Sequence, residues 1–263
     1  MEKYRNEDYL KKEIMQQSRH LFVYGYNTDY RSQFLQSMEK DYPVQADSDR
    51  PVALYFDTFG MPKIDFNQGD KNQYLIEAMS REYLHFTIAS KILERTMELD
   101  KTILDSRLSR LIYLTNISKN NGYPEIETIE DLLREVKTSR NYYYQSYIYY
   151  VKGLIENVSI DDISVPFMQL EMFVSQYKEA MNIDSYLGII LDKKRPLAIS
   201  SVQAINNLIG GRINKDISIK VVTEPDDWET YRDVNGQFIE ATHDYGNVEL
   251  DDSYKAYMKI LKR

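Results

Sequence analysis

The stretch from Ser185 to Pro225, SYLGIILDKKRPLAISSVQAINNLIGGRINKDISIKVVTEP, constrains the fold more than any other part of the chain. Leu187–Leu191 is an apolar run ending in Asp192. Ser200–Ile209 carries apolar residues at helical spacing and stops at Gly210–Gly211, and Ile217–Val222 is a second, β-branched run. Strand, helix, strand is a βαβ unit, and unbroken apolar strands belong to parallel sheets covered on both faces. In open sheets of this kind ligands sit beyond the carboxyl ends of the strands, where Asp192 and Thr223 would project.

Two further strands precede this unit. A polar helix over Glu7–Ser18 leads into His20–Tyr26, and Val52–Phe56 reads as a core strand followed by Asp57, Thr58 and Gly60. Asp57 reads as a turn residue satisfying local amides. After the first strand comes Gly25-Tyr-Asn-Thr-Asp-Tyr-Arg-Ser32, opening onto the helical pattern Gln33–Met38. Strand, polar turn, helix is the layout of a phosphate loop, G-x-x-x-x-G-K-[ST], whose amides cradle phosphates while its lysine and hydroxyl serve the terminal phosphates and magnesium. Gly25 and Ser32 keep the spacing, whereas Tyr30 and Arg31 stand where glycine and lysine belong. Tyrosine suits a positive φ poorly, and a planar guanidinium does not fit a cradle shaped for an ammonium. Asp29 adds a carboxylate that would cost about 4 kcal/mol if held about 4 Å from a phosphate charge. Unless it faces solvent or pairs with Arg31, it opposes a polyanion.

Residues 72–180 change character. Long helical patterns run over Tyr74–Asp100, Ile103–Ile117, Thr128–Val136 and Phe167–Asn182, with a loop at Asn120–Pro124, so this part reads as a helical insertion into an α/β core formed by residues 1–71 and 181–263. Thr128 begins a capping signature that leads into Asn141-Tyr-Tyr-Tyr-Gln-Ser-Tyr-Ile-Tyr-Tyr150. Six tyrosines in this segment cannot share one helix face. They fit packing between helices with hydroxyls reaching water, or a contact surface, and the scarcity of interleaved Lys and Arg favours protein over nucleic acid as its partner.

Composition narrows the function further. With 33 basic and 41 acidic residues the net charge is -8, which disfavours general coating of nucleic acid. There is no cysteine, so disulfides, thiolate nucleophiles and cysteine-held zinc are excluded, and a reducing cytoplasm is the expected location. His20, His85 and His243 lie in separate segments and predict no zinc site. The amino-terminal residues lack the apolar core of a signal peptide, and no apolar run is long enough to cross a membrane. Short strands are expected at Gln237–Ala241 and Asn247–Leu250, and a final helix at Asp252–Leu261.

Gly25–Ser32 after a strand, Leu187–Asp192 ending a strand, Gln203–Asn207 in the next helix, Thr223 ending the next strand and the late His243-Asp-Tyr together resemble the origin-recognition-like branch of AAA+ P-loop ATPases. The resemblance spans roughly residues 20–60 and 185–250. It implies a P-loop NTPase-like sheet that binds ATP and magnesium. Gly25, Asn27, Thr28, Arg31 and Ser32 would lie at the triphosphate, Ser32 and Asp192 at the metal, and Thr223 at the γ-phosphate. Such ATPases place a glutamate after the strand-end aspartate to polarise water, and here Lys193 stands there. With Tyr30-Arg31 replacing Gly-Lys as well, and few residues after Leu250 for a lid, the resemblance implies a pseudo-ATPase. Its expected role is that of an interaction or regulatory subunit in a mobile-element, replication or defence complex, binding a protein partner through the helical insertion. The alternatives are an active ATPase with a variant loop, Glu224 or a partner residue orienting water, and a nucleotide-free scaffold.

Overall fold

The computed structural model of the protein describes residues 6–58, 61, 72–99, 107–109, 111–112, 126–156, 169–211 and 215–252. Its elements are α1 (Glu7–Gln16), β1 (His20–Tyr24), α2 (Asp29–Asp41), β2 (Val52–Asp57), α3 (Gln73–Thr96), α4 (Ile129–Val151), α5 (Leu170–Met181), β3 (Leu187–Asp192), α6 (Ile199–Gly210), β4 (Ile217–Thr223) and β5 (Tyr245–Glu249). The five strands form one sheet in the order β2-β3-β4-β1-β5, with every pair parallel. β3 and β4 are direct neighbours joined through α6, and every residue of both strands is buried, as their unbroken apolar runs require.

Strand alternation sorts the sheet into two faces. On one face Leu21, Val23, Ala53, Tyr55, Ile190, Val222 and Val248 pack in a single cluster with Leu10, Ile14 and Met15 of α1 and Phe34, Leu35 and Met38 of α2. On the other, Phe22 meets Trp228 edge-on with centroids 5.5 Å apart and Tyr245 at 4.6 Å. Trp228 Nε1 donates to Asn206 of α6 at 3.2 Å, which ties that helix to this side. The outer amides of edge strand β2 are occupied: Ala53 N donates to Tyr42 O and Tyr55 N to a carboxylate oxygen of Glu39, each at 2.8 Å.

The chain divides into two units, residues 1–43, 49–63 and 185–263, and residues 44–48 and 64–184. The first holds the sheet with α1, α2 and α6. The second holds α3, α4 and α5, and it also takes residues 44–48, because Ser48 bridges Ile183 and Asp47 receives hydrogen bonds from Arg107 and Asn182. Within it α3 and α4 run antiparallel: Tyr83 meets Tyr144, Phe86 stacks on Tyr143, and Lys137 pairs with Glu94 at 2.8 Å. α4 is continuous past Val136 through the tyrosine segment. Tyr143, Tyr147 and Tyr150, at i, i+4 and i+7, are buried, whereas Tyr142, Tyr144 and Tyr149 are exposed. No described helix is long and apolar enough to cross a membrane.

Several boundaries differ from those expected. β1 stops at Tyr24 because the chain turns at Gly25, whose Cα approaches Leu250 so closely that a Cβ there would lie 3.1 Å from the leucine Cβ. Gln237–Ala241 is not a strand. It forms one limb of a turn closed by the Arg232–Phe238 bridge around Gly236 at φ +77°, and only Tyr245–Glu249 joins the sheet. Most of Ile103–Ile117, the loop at Asn120–Pro124 and nearly all of Asp252–Leu261 lie outside the described residues.

Candidate functional site

The site lies where the carboxyl ends of β1, β3 and β4 meet the turn before α2. Residues 25–28 make that turn, and α2 begins at Asp29 with Thr28 as its N-cap: the threonine Oγ1 accepts from Arg31 N at 3.1 Å. All of residues 25–32 are described and none has positive φ. Tyr30 and Arg31 therefore sit within the first helical turn and not in an extended loop. Asp29 is exposed at the helix start, where an acid is stabilising, so the phosphate-facing carboxylate considered from the sequence is instead a solvent-facing helix-terminal acid.

The amides of the turn are held by the chain's own acids. Tyr26 N donates to a carboxylate oxygen of Asp251 at 2.8 Å, and Asn27 N donates to a carboxylate oxygen of Glu224 at 2.9 Å. Gly25 N donates to Thr223 O at 3.1 Å, extending the β1–β4 ladder by one bond.

Arg31 is the centre of the cluster. It precedes Phe34, Leu35 and Met38 at helical spacing, so α2 turns it toward the sheet together with these core residues. Its side chain is completely buried. Nη1 donates to Gly25 O at 2.8 Å, and Nη2 donates to Lys193 O at 2.7 Å and Asn27 Oδ1 at 3.3 Å. The same Nη2 lies 2.8 Å from Asp192 Oδ1 without being aligned on it, so that contact is an ion pair and not a hydrogen bond. Asp192 Oδ2 accepts from Ser32 Oγ and from the Tyr55 hydroxyl, each at 2.9 Å. Burial, and then the Asp192 charge, push the Tyr55 phenol well above its ordinary range, which keeps it a proton donor. Lys194 Nζ stands 3.9 Å from Asp192 Oδ2 on the more open side.

Gly25, Asn27, Thr28, Arg31, Ser32 and Asp192 are thus brought together. Thr223 is adjacent in the backbone, but its side chain lies on the other face: its register partner is Tyr24, which stacks with Phe22, whereas Val222 is the partner of Asp192. The Thr223 hydroxyl is buried and has no hydrogen-bond partner among the described residues. Lys193 points away from Asp192. Its ammonium contacts the Asp227 carbonyl and the carboxylates of Asp227 and Glu229, the latter two at 2.9 and 3.0 Å.

Magnesium fits this arrangement poorly, because Asp192 Oδ2 already accepts two hydrogen bonds and a guanidinium sits 2.8 Å from Oδ1. A triphosphate would have to displace Glu224 and Asp251 from the turn amides and pull Arg31 out of the protein. No group of three or more His, Asp or Glu able to hold a metal occurs among the described residues.

Tyr55, Asp251 and the pair Asp227 and Glu229 were not identified as site residues from the sequence, and Glu224, considered there for orienting water, instead holds Asn27 N. One signal was present: Thr28-Asp29 is a helix-start pattern that puts Arg31 on the same face as Phe34 and Leu35. The acids come from distant segments and carried no local signal. Comparison with models of known families, with curated proteins and with solved structures finds no match.

Proposed function

We propose that this chain is a P-loop ATPase-like protein of the AAA+ type that has lost nucleotide turnover and acts as an interaction or regulatory subunit of a larger complex. The observation that supports it most is the inward Arg31. Where a working loop aims a cation at phosphate, this side chain is spent on Gly25 O, Lys193 O, Asn27 and Asp192. The parallel strand order and the meeting of Ser32 with Asp192 at the strand ends support a P-loop-like ancestry. With Arg31 and Asp192 engaged by the chain's own groups, the nucleotide-free form of the reading is preferred over a weakly binding one. A protein partner would engage the helical unit, where Tyr142, Tyr144 and Tyr149 of α4 offer exposed aromatic surface of the kind enriched at interfaces.

The test is thermal unfolding with and without millimolar Mg-ATP, together with phosphate release. A ligand at 100 times its Kd stabilises the native state by about 2.7 kcal/mol. The melting temperature is expected to stay unchanged and phosphate release to remain at background. A clear upward shift would instead establish nucleotide binding, and turnover abolished by Asp192→Ala would establish an ATPase with a variant loop.

A further inference from the structure

The connection from residue 224 to residue 244, between β4 and β5, is longer than the about 12–15 residues beyond which a loop without secondary structure of its own is usually functional. Its first part, Glu224–Thr230, leaves the carboxyl end of β4, packs Trp228 on Phe22 and is also held by polar contacts. Glu224 holds Asn27 N at 2.9 Å, and Lys193 holds Asp227 and Glu229. Leu197 N donates to Glu229 Oε1 at 2.8 Å, and Asn206 holds both Trp228 Nε1 and Thr230 O.

We propose that Glu224–Thr230 is a releasable strap beyond the carboxyl end of β4, and that Lys193 is its lock. Each attachment ends on a side chain of one partner, so the strap can come away without breaking a bond of the sheet ladder, which is the condition for local opening below the global unfolding free energy. Lys193 gathers two carboxylates of the strap with a side chain that is 1% exposed, while the Asp227 side chain is 45% exposed and reachable from solvent. An acidic group that competes for Lys193 would therefore loosen the strap from outside. Opening frees Asn27 N from Glu224 and the Lys193 ammonium from its two carboxylates, which leaves both donors to an acidic group of a partner. The lock rests on the contacts of Lys193 and holds whether or not nucleotide binds.

Trp228 is the chain's single tryptophan and lies in the strap, so its emission reports on the strap alone. In Lys193→Met, hydrogen exchange of amides in 224–230 is expected to rise by about tenfold or more, equivalent to about 1.4 kcal/mol of local stability. Trp228 emission should shift red and become open to acrylamide, while β1, β3 and β4 keep their protection. Unchanged strap exchange in the folded variant overturns the proposal, and so does an equal rise across the three strands, which would make Lys193 a general core residue. Should Lys193→Met fail to fold, the double variant Asp227→Asn with Glu229→Gln keeps the lysine and the acceptor for Leu197 N but removes both charges. The same local opening is expected there, and its absence refutes the lock.

Discussion

The guanidinium of Arg31 and the carboxylate of Asp192 meet at 2.8 Å with neither side chain exposed to solvent. A residue read from the sequence as a candidate for phosphate and one read as a candidate for magnesium thus neutralise each other. Removing one partner of such a pair leaves an uncompensated buried charge, which costs about 3–5 kcal/mol.

Arg31→Ala is accordingly expected to lower unfolding free energy by about 3–5 kcal/mol, because Asp192 keeps its charge and Gly25 O and Lys193 O lose their donors. Asp192→Asn should cost less, since the amide oxygen can still accept from Ser32 and Tyr55. The double variant Arg31→Met with Asp192→Asn should recover part of the loss of Arg31→Met alone. Urea denaturation of the four proteins in the cycle measures this, and strictly additive effects would show that the pair is not coupled.

The tyrosine-rich part of α4 separates into two classes on the same helix. Tyr147→Ala empties a position that is 1% exposed and should destabilise by about 3–5 kcal/mol, as large aromatic truncations in a core do. Tyr142→Ala and Tyr149→Ala change exposed side chains and should stay within about 0.5 kcal/mol. Denaturation midpoints decide it. If the exposed pair proves as costly as Tyr147, these rings have a packing role within the chain, and the surface offered to a partner disappears.

Much of the core could be read in advance because burial on both faces of a parallel strand leaves an unbroken apolar run. Leu187–Leu191 and Ile217–Val222 fall within one residue of β3 and β4. The clustering of Gly25, Ser32 and Asp192 was equally legible, since strand ends in a parallel sheet converge on one side. The direction of Arg31 was harder to read. A phosphate-loop spacing and a capped helix start occupy the same eight residues, and they differ in whether the backbone becomes helical at Asp29 or only after Arg31. Spacing alone is silent on that point; the Thr28 cap decides it. The contacts of Glu224 and Asp251 with the turn could not be read because they span large sequence separations and depend on the strand order β4-β1-β5, which puts both segments beside β1.

Lys220 sets a pH dependence that can be worked out in sign. It lies on a central strand, fully buried, with its ammonium donating to Gln17 O at 2.5 Å and Arg19 O at 2.9 Å and lying over the Tyr186 ring. Burial first, and then the Arg19 charge, lower its pKa from 10.5 to about 7. His20 on β1 is lowered to about 4 by burial and by Lys220, against a smaller opposing effect of Asp244. Between about pH 7 and 10.5 the unfolded lysine holds a proton that the folded one has given up, so stability from this group rises with pH through that window and is lost as pH falls through about 7. The His20 window, from about pH 4 to 6.5, has the same sign and lies lower. Lys220→Met removes the first window and, by taking away the Lys220 charge, narrows the second. Unfolding free energies across pH 7.5–9.5, a range chosen inside the Lys220 window, should climb more steeply in the wild type than in the variant, by up to about 1.4 kcal/mol per pH unit for one proton. Parallel curves from pH 7.5 to 9.5 would mean that the lysine keeps an ordinary pKa and that Gln17 O and Arg19 O hold a permanently charged ammonium.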